Sequence, residues 1–257
     1  MHRTFHTALL GTAAVIALGS IITAAGITAT ADPRLTAFFL WGASRPSAGS
    51  SPVAAAPVVA APIRVLTIGD SIMNGFGLNK ADAWPGLLAT ANGWNLTSLA
   101  CDGAGFLAPG SPDECGNTFG AVIRSAAVTD SDLHPDLIII EGSSNDFGQS
   151  DPELLAATLS ALADLRSEFP DAEIIGLSTV WSESEPPSQL ADINSQMQRA
   201  VTAVGGHYLD IAQPFSEQPQ FLQDDDVHPT AAGQQVLATA IQTAITTDQH
   251  ATDAVHK

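Results

Sequence analysis

Residues 136–141, Asp136-Leu137-Ile138-Ile139-Ile140-Glu141, constrain the fold more than any other stretch. Successive side chains of a strand face opposite sides of its sheet, so four consecutive aliphatic residues require both faces to be covered. That is the position of a central strand in a parallel sheet with helices on both sides. Four further strand-like runs accompany it: Ile63 to Ile68, Trp94 to Ala100, Glu173 to Ser178 and His207 to Asp210. Helical spacing fills the intervals at Ala83 to Ala91, Pro152 to Phe169, Gln189 to Val204 and Pro229 to Thr246. Asp151 is expected to cap the second of these, with Pro152 in its first turn and Leu154, Leu155, Leu159, Leu162 and Leu165 recurring along it. The region between the second and third strands reads as a Gly-rich loop holding both cysteines. The expected architecture is a three-layer α/β/α sandwich with a five-stranded parallel sheet. No Gly-x-Gly-x-x-Gly follows the first strand and no Walker-type Gly-Lys-Ser/Thr occurs, so nucleotide-binding versions of this architecture have no support.

Charge narrows the partners. The formal net charge is -18, from 9 Lys+Arg against 27 Asp+Glu. Phosphate backbones and anionic membrane surfaces both need clustered basic residues, so nucleic acid is excluded as a partner and the folded part is not expected on an anionic bilayer. An acidic surface of this kind serves solubility.

The N-terminus carries an address. Residues Thr7 to Ala31 hold no charged side chain, Arg3 precedes them, and Ala29-Thr30-Ala31 has the small-x-small pattern of a signal-peptidase site. The run exceeds the usual apolar region of about 7–15 residues and approaches the roughly 20 that span a bilayer. Residues 1–31 therefore read as a signal peptide or a membrane anchor, and in both cases the chain is exported. Residues 32–62 form an Ala/Pro/Ser-rich linker, 63–248 the folded domain and 249–257 a polar tail. Cys101 and Cys115, the two cysteines of an exported chain, are expected to form a disulfide, a closure worth about 3 kcal/mol in the chain-entropy model.

Four chemically loaded segments follow the predicted strands. They are Gly69-Asp70-Ser71, Asp102-Gly103-Ala104-Gly105-Phe106, Gly142-Ser143-Ser144-Asn145-Asp146 and Asp224-Asp225-Asp226-Val227-His228-Pro229. The carboxyl ends of parallel strands share one edge of the sheet, where residues distant in sequence can converge. Each segment also has a plain structural use. Gly-Asp-Ser can cap a helix, the Gly loop can be a turn, Asp146 can be a cap, and the aspartate run can complement a helix dipole or hold a hard cation.

Taken together and in this order, the four segments resemble the four blocks of the SGNH hydrolases, the GDSL esterase/lipase family. The resemblance covers Ile63 to the last helix and includes Gly233 in His228-Pro229-Thr230-Ala231-Ala232-Gly233. It implies a flavodoxin-like fold and hydrolysis of acyl esters by Ser71, His228 and Asp225. The oxyanion hole it implies consists of the Ser71 and Gly103 N–H groups and the Asn145 amide. It implies no cofactor and no metal. The third block departs from the family's Gly-x-Asn-Asp, because Ser143 stands at the glycine position. Serine tolerates positive φ less well than glycine, which puts the backbone there in question. A Cys101–Cys115 bond would pin the loop that carries Gly103.

The expected function is that of an exported serine esterase acting on short acyl esters, with carbohydrate O-acetyl groups as one candidate. Its partner is a small-molecule or glycan acyl ester. An O-acyltransferase of the cell envelope, tethered through the N-terminal segment, and a non-catalytic acidic or metal-binding module are the alternatives.

Overall fold

The computed structural model describes residues 61–248 apart from Glu183. The expected signal or anchor segment, nearly all of the linker and the polar tail lie outside the described residues. Five strands form one parallel sheet: β1 (Arg64–Ile68), β2 (Asn95–Ser98), β3 (Leu137–Glu141), β4 (Glu173–Leu177) and β5 (His207–Leu209). Their order across the sheet is β2-β1-β3-β4-β5. This is the flavodoxin-like order, and its switch point lies between β1 and β3, where the chain turns from building one side of the sheet to the other.

The period of two along each strand divides the core. Leu137 and Ile139 of β3 join Val65, Ile175 and Leu177 beneath the helices α2 (Trp84–Asn92) and α6 (Ala231–Thr247). Ile138 and Ile140 join Leu66, Ile68 and Ile174 beneath α3 (Phe119–Thr129), α4 (Asp151–Glu168) and α5 (Gln189–Ala203). All five residues of β3 are buried, as its consecutive aliphatics require.

Three local expectations are corrected. Helix α3 lies inside the stretch expected to be loop. Thr118 accepts the Ala121 N–H as its cap, and Phe119, Ile123 and Ala126 form its buried stripe. The cap position of α4 is Ser150, which makes no side-chain cap bond, and Asp151 is the first helical residue. Its carboxylate instead accepts from the Gln189 side chain at 3.0 Å. Leu159 of α4 is exposed, and Thr158 and Ala161 take places on the buried face. Among the described residues no helix is long and apolar enough to cross a membrane.

Candidate active site

The site is built on the strands that flank the switch point. After β1, Gly69 must lack a side chain, because a Cβ there would strike the Glu141 carboxylate and the Met73 sulfur. Asp70 then caps the short helix α1 (Ser71–Asn74), its Oδ1 accepting the Ile72 N–H at 2.9 Å. Ser71 is thus the first residue of a helix and is largely buried. The helix-cap use of this tripeptide and a place for Ser71 on the cleft coexist, because the cap is Asp70 and not the serine.

His228 arrives on the loop before α6. Leu222 and Pro229 pair as an antiparallel bridge, and the Gln223 N–H donates to the His228 carbonyl at 2.7 Å. This closes the tight turn Asp224–Asp226, in which Asp226 adopts φ 58°. The Gln223 side chain donates to the carbonyls of Phe76 (2.8 Å) and Pro229 (3.0 Å), lashing the histidine loop to the end of α1. Thr230 caps α6, and the buried Gln234 of that helix accepts the Trp84 N–H and donates to the Ile72 carbonyl, both at 2.8 Å.

These elements bring three side chains into one line. Ser71 Oγ lies 2.9 Å from His228 Nε2, and His228 Nδ1 lies 2.7 Å from Asp225 Oδ2. Asp225 Oδ1 accepts the backbone N–H of Val227 (3.0 Å) and of His228 (2.9 Å). Burial alone would raise the Asp225 carboxyl. The N–H and imidazole of His228 and the N–H of Val227 outweigh that and hold it down to about 2. Both oxygens of Asp225 thus face groups of the Val227–His228 segment. Among the described residues no group of three or more His, Cys, Asp or Glu side chains is placed to hold a metal ion.

Gly103 sits in the loop after β2 at φ 75°, a conformation that favours glycine. Neither its N–H nor that of Ser71 meets an acceptor in hydrogen-bond geometry among the described residues. Ser71, Gly103, Asn145 and His228 all line one cleft of about 590 Å³. Gly105 has a different task. A Cβ there would strike the carboxylate of Asp146, whose oxygens accept the N–H groups of Phe106 (2.7 Å), Leu107 (2.9 Å) and Ala108 (3.0 Å). Asp146 is fully buried, and burial raises its carboxyl against the pull of those three donors. It fastens the Gly loop to the turn after β3. Cys101 and Cys115 are bonded, their Cα atoms 5.9 Å apart, and Gly110 lies directly over the sulfurs.

Asn145 lies in a 3-10 turn, Ser144–Asp146, with its side-chain nitrogen 3.0 Å from the Ala104 carbonyl. Ser143 adopts φ -119°, ordinary extended backbone, so the serine at the family's glycine position is accommodated without strain.

Sequence reasoning missed four neighbours of the site. The Phe76 ring stacks on His228, with centroids 4.3 Å apart. Asp146 fastens the Gly loop as described. Glu141, buried at the end of β3, accepts the Asp70 N–H at 3.0 Å. Ser143 donates to Asp70 at 2.7 Å. A charged residue ending an otherwise aliphatic central strand was the one visible signal among them. A small apolar side pocket of about 150 Å³ adjoins the cleft, lined by Ile72, Ser144, Val180, Trp181, Ser182 and Val227. A larger depression of about 1020 Å³ lies at the opposite edge of the sheet, around Arg64, His134 and Asp136, and its lining among the described residues includes no hydroxyl, thiol or amine side chain.

Known proteins resemble this chain in sequence and in fold. Residues 67–236 match the model of the GDSL-like Lipase/Acylhydrolase family. A GDSL lipase of Mycobacterium tuberculosis, Rv0518, is 30% identical over 191 residues, covering 69% of this chain and 79% of that protein. The carbohydrate esterase family 2 enzyme of Corynascus thermopiles has a similar fold, with a TM-score of 0.53 and 24% identity over 74% of this chain and 69% of that one. So does the salicylyl-acyltransferase SsfX3 of a tetracycline biosynthetic pathway, with a TM-score of 0.56 and 22% identity over 73% of this chain and 55% of that one. The matched span runs from β1 into α6 and takes in all four loops that meet at the cleft, so this chain belongs to the GDSL-like lipase/acylhydrolase family.

Proposed function

We propose that the chain is an exported serine esterase that cleaves short acyl esters through an acyl-enzyme on Ser71. The observation that carries this reading is the unbroken line from Ser71 Oγ through His228 to Asp225, at 2.9 and 2.7 Å, opening onto a cleft with unpaired N–H groups. A serine hydroxyl is a weak nucleophile until an adjacent base takes its proton. In this reading Ser71 Oγ attacks the ester carbonyl carbon while its proton passes to His228 Nε2. Asp225 accepts from Nδ1–H, which fixes the tautomer and stabilises the imidazolium. The negative charge that develops on the carbonyl oxygen meets the N–H groups of Ser71 and Gly103 and the Asn145 amide. As the tetrahedral intermediate collapses, the carbon–alkoxide bond breaks and His228 returns the proton to the leaving alcohol. Water, deprotonated by His228, then attacks the acyl carbon and frees the carboxylic acid and Ser71.

The side pocket between Ile72, Val180, Trp181 and Val227 would take the acyl chain, and its small volume supports a short one. The wider cleft, whose lining includes Asp102 and Ser111, would take the alcohol. Likeness to both a carbohydrate esterase and an acyltransferase keeps a second outcome in view, in which a sugar hydroxyl replaces water as the acceptor. The bonded Cys101–Cys115 pair supports work in an oxidising compartment. Hydrolysis of p-nitrophenyl esters from acetyl to octanoyl tests the reading. Turnover should peak among the shortest chains, and a maximum at octanoyl would contradict it. Added sugar alcohols separate transfer from hydrolysis through the appearance of acylated sugar. Intact mass of the exported protein reports whether residues 1–31 are removed.

A further inference from the structure

One buried hydroxyl touches all three loops that carry the proposed oxyanion donors. Ser143 Oγ, on a residue with no exposed surface, lies 2.7 Å from Asp70 Oδ2 in the loop before Ser71. It lies 2.9 Å from the carbonyl of Ala104, the residue after Gly103. It also accepts from Asn145, at 3.2 Å from the backbone nitrogen and 3.1 Å from Nδ2.

The directions of these bonds follow from the groups involved. The Asp70 carboxylate is an acceptor, so the single Ser143 proton goes to it, and the serine lone pairs are left to receive the Asn145 N–H groups. The Asn145 amide nitrogen also lies 3.0 Å from the Ala104 carbonyl and 3.3 Å from Asp70 Oδ2. Three oxygens around one amide end fix its orientation, since the flipped amide would set oxygen against a carboxylate and a carbonyl. Two hydrogens are shared among these three oxygens, and Asn145 also lines the cleft.

We propose that Ser143 is a positioning residue that aims the Asn145 amide at the developing oxyanion by relaying it to the Asp70 carboxylate. This goes beyond the family pattern, which has glycine at this position and no such hydroxyl, and it rests on the esterase reading above. No water replaces the hydroxyl readily, because the site is sealed from solvent. Without it, Asn145 loses the one oxygen that receives both its backbone N–H and its amide, and the amide is left to the Ala104 carbonyl and the Asp70 carboxylate, which draw it away from the cleft.

A double-mutant cycle on Ser143 and Asn145 tests this with p-nitrophenyl acetate. Active sites are counted by end-point fluorophosphonate labelling, which registers folded protein even when the rate falls. Ser143→Ala should lower kcat about tenfold with KM little changed, the loss of one well-placed hydrogen bond felt in the transition state. Ser143→Cys, which keeps the volume and weakens the donor, should fall in the same direction and covers the case in which the alanine variant does not fold. In an Asn145→Ala background, Ser143→Ala should change kcat by less than about twofold, because the group it positions is gone. A full tenfold loss in that background, or Ser143 variants with wild-type kcat, would overturn the proposal. A wild type whose Ser71 takes up no fluorophosphonate would overturn the esterase reading, and this inference with it.

Discussion

The ring of Phe76 lies against the imidazole of His228, the two planes inclined by 27° and the centroids 4.3 Å apart. Phe76 is 43% exposed, an unusual place for a phenylalanine, and it shields one face of the base from water. In the proposed reaction the π face also favours the imidazolium that would form when Ser71 gives up its proton. An aromatic pair of this kind is worth about 0.5–1.5 kcal/mol. Phe76→Ala should therefore lower kcat roughly two- to tenfold, with Phe76→Tyr close to wild type. The bond from the Gln223 side chain to the Phe76 carbonyl survives both changes, so the loop should stay in place. Steady-state kinetics on one soluble ester checks this, and an alanine variant at full rate would refute it.

The part of this site that could be read from sequence is local. Asp225 and His228 are three residues apart in one turn, and the resemblance to the family's Asp-x-x-His pattern singled out Asp225 among three successive aspartates. The strand β3 announced itself by four aliphatics in a row. Phe76 and His228 are 152 positions apart, and only the closed fold sets one ring on the other. Asp146 looked like a turn residue because its three partners, Phe106 to Ala108, come from another loop. Helix α3 was hidden by the Gly-rich stretch before it, although Thr118, Phe119 and Ile123 carry its cap and its apolar stripe. The doubt over Ser143 arose from assuming that a family glycine marks a positive φ. At this position the glycine is not needed by the backbone, and the side chain added there finds Asp70.

Glu141 and Asp70 form a buried carboxyl pair whose pH response can be predicted. Burial, and then the nearby Asp70 charge, push the Glu141 carboxyl well above its ordinary 4.5. Burial raises the Asp70 carboxyl as well, but its donors from Ile72, Ser143 and Asn145 pull against that rise, so of the two Glu141 is the one pushed further towards its protonated form. A carboxyl raised in the folded state binds its proton more tightly there than in the unfolded chain. Its contribution to stability is complete below the unfolded value and is lost as pH rises through the folded one. Glu141→Gln imitates the protonated acid at every pH. It should match wild type below about pH 4 and melt roughly 2–4 °C higher in mildly alkaline buffer, the shift that about 1 kcal/mol gives in a domain of this size. Melting curves across that range decide the point, and a variant less stable than wild type at high pH would contradict it.

The Cys101–Cys115 bond sits two residues before Gly103 and beneath Gly110, so it braces the loop that presents the Gly103 N–H. Reduction should lower turnover before any global unfolding is detected. It should cost at most about 3 kcal/mol of stability on chain-entropy grounds. Activity and circular dichroism followed together during reduction would show the order of events. Unchanged turnover in the fully reduced protein would remove the bond from the site's support.

The central claim is that Ser71 is the nucleophile, held at 2.9 Å from its base. Its most direct test is intact-mass and peptide mapping after fluorophosphonate treatment, with ester turnover measured on the same samples of wild type and Ser71→Ala. One adduct per wild-type chain, mapped to Ser71, is predicted, with none on Ser71→Ala and turnover reduced by roughly 10³-fold or more. An unlabelled wild type, or a Ser71→Ala variant that hydrolyses ester at the wild-type rate, would contradict it.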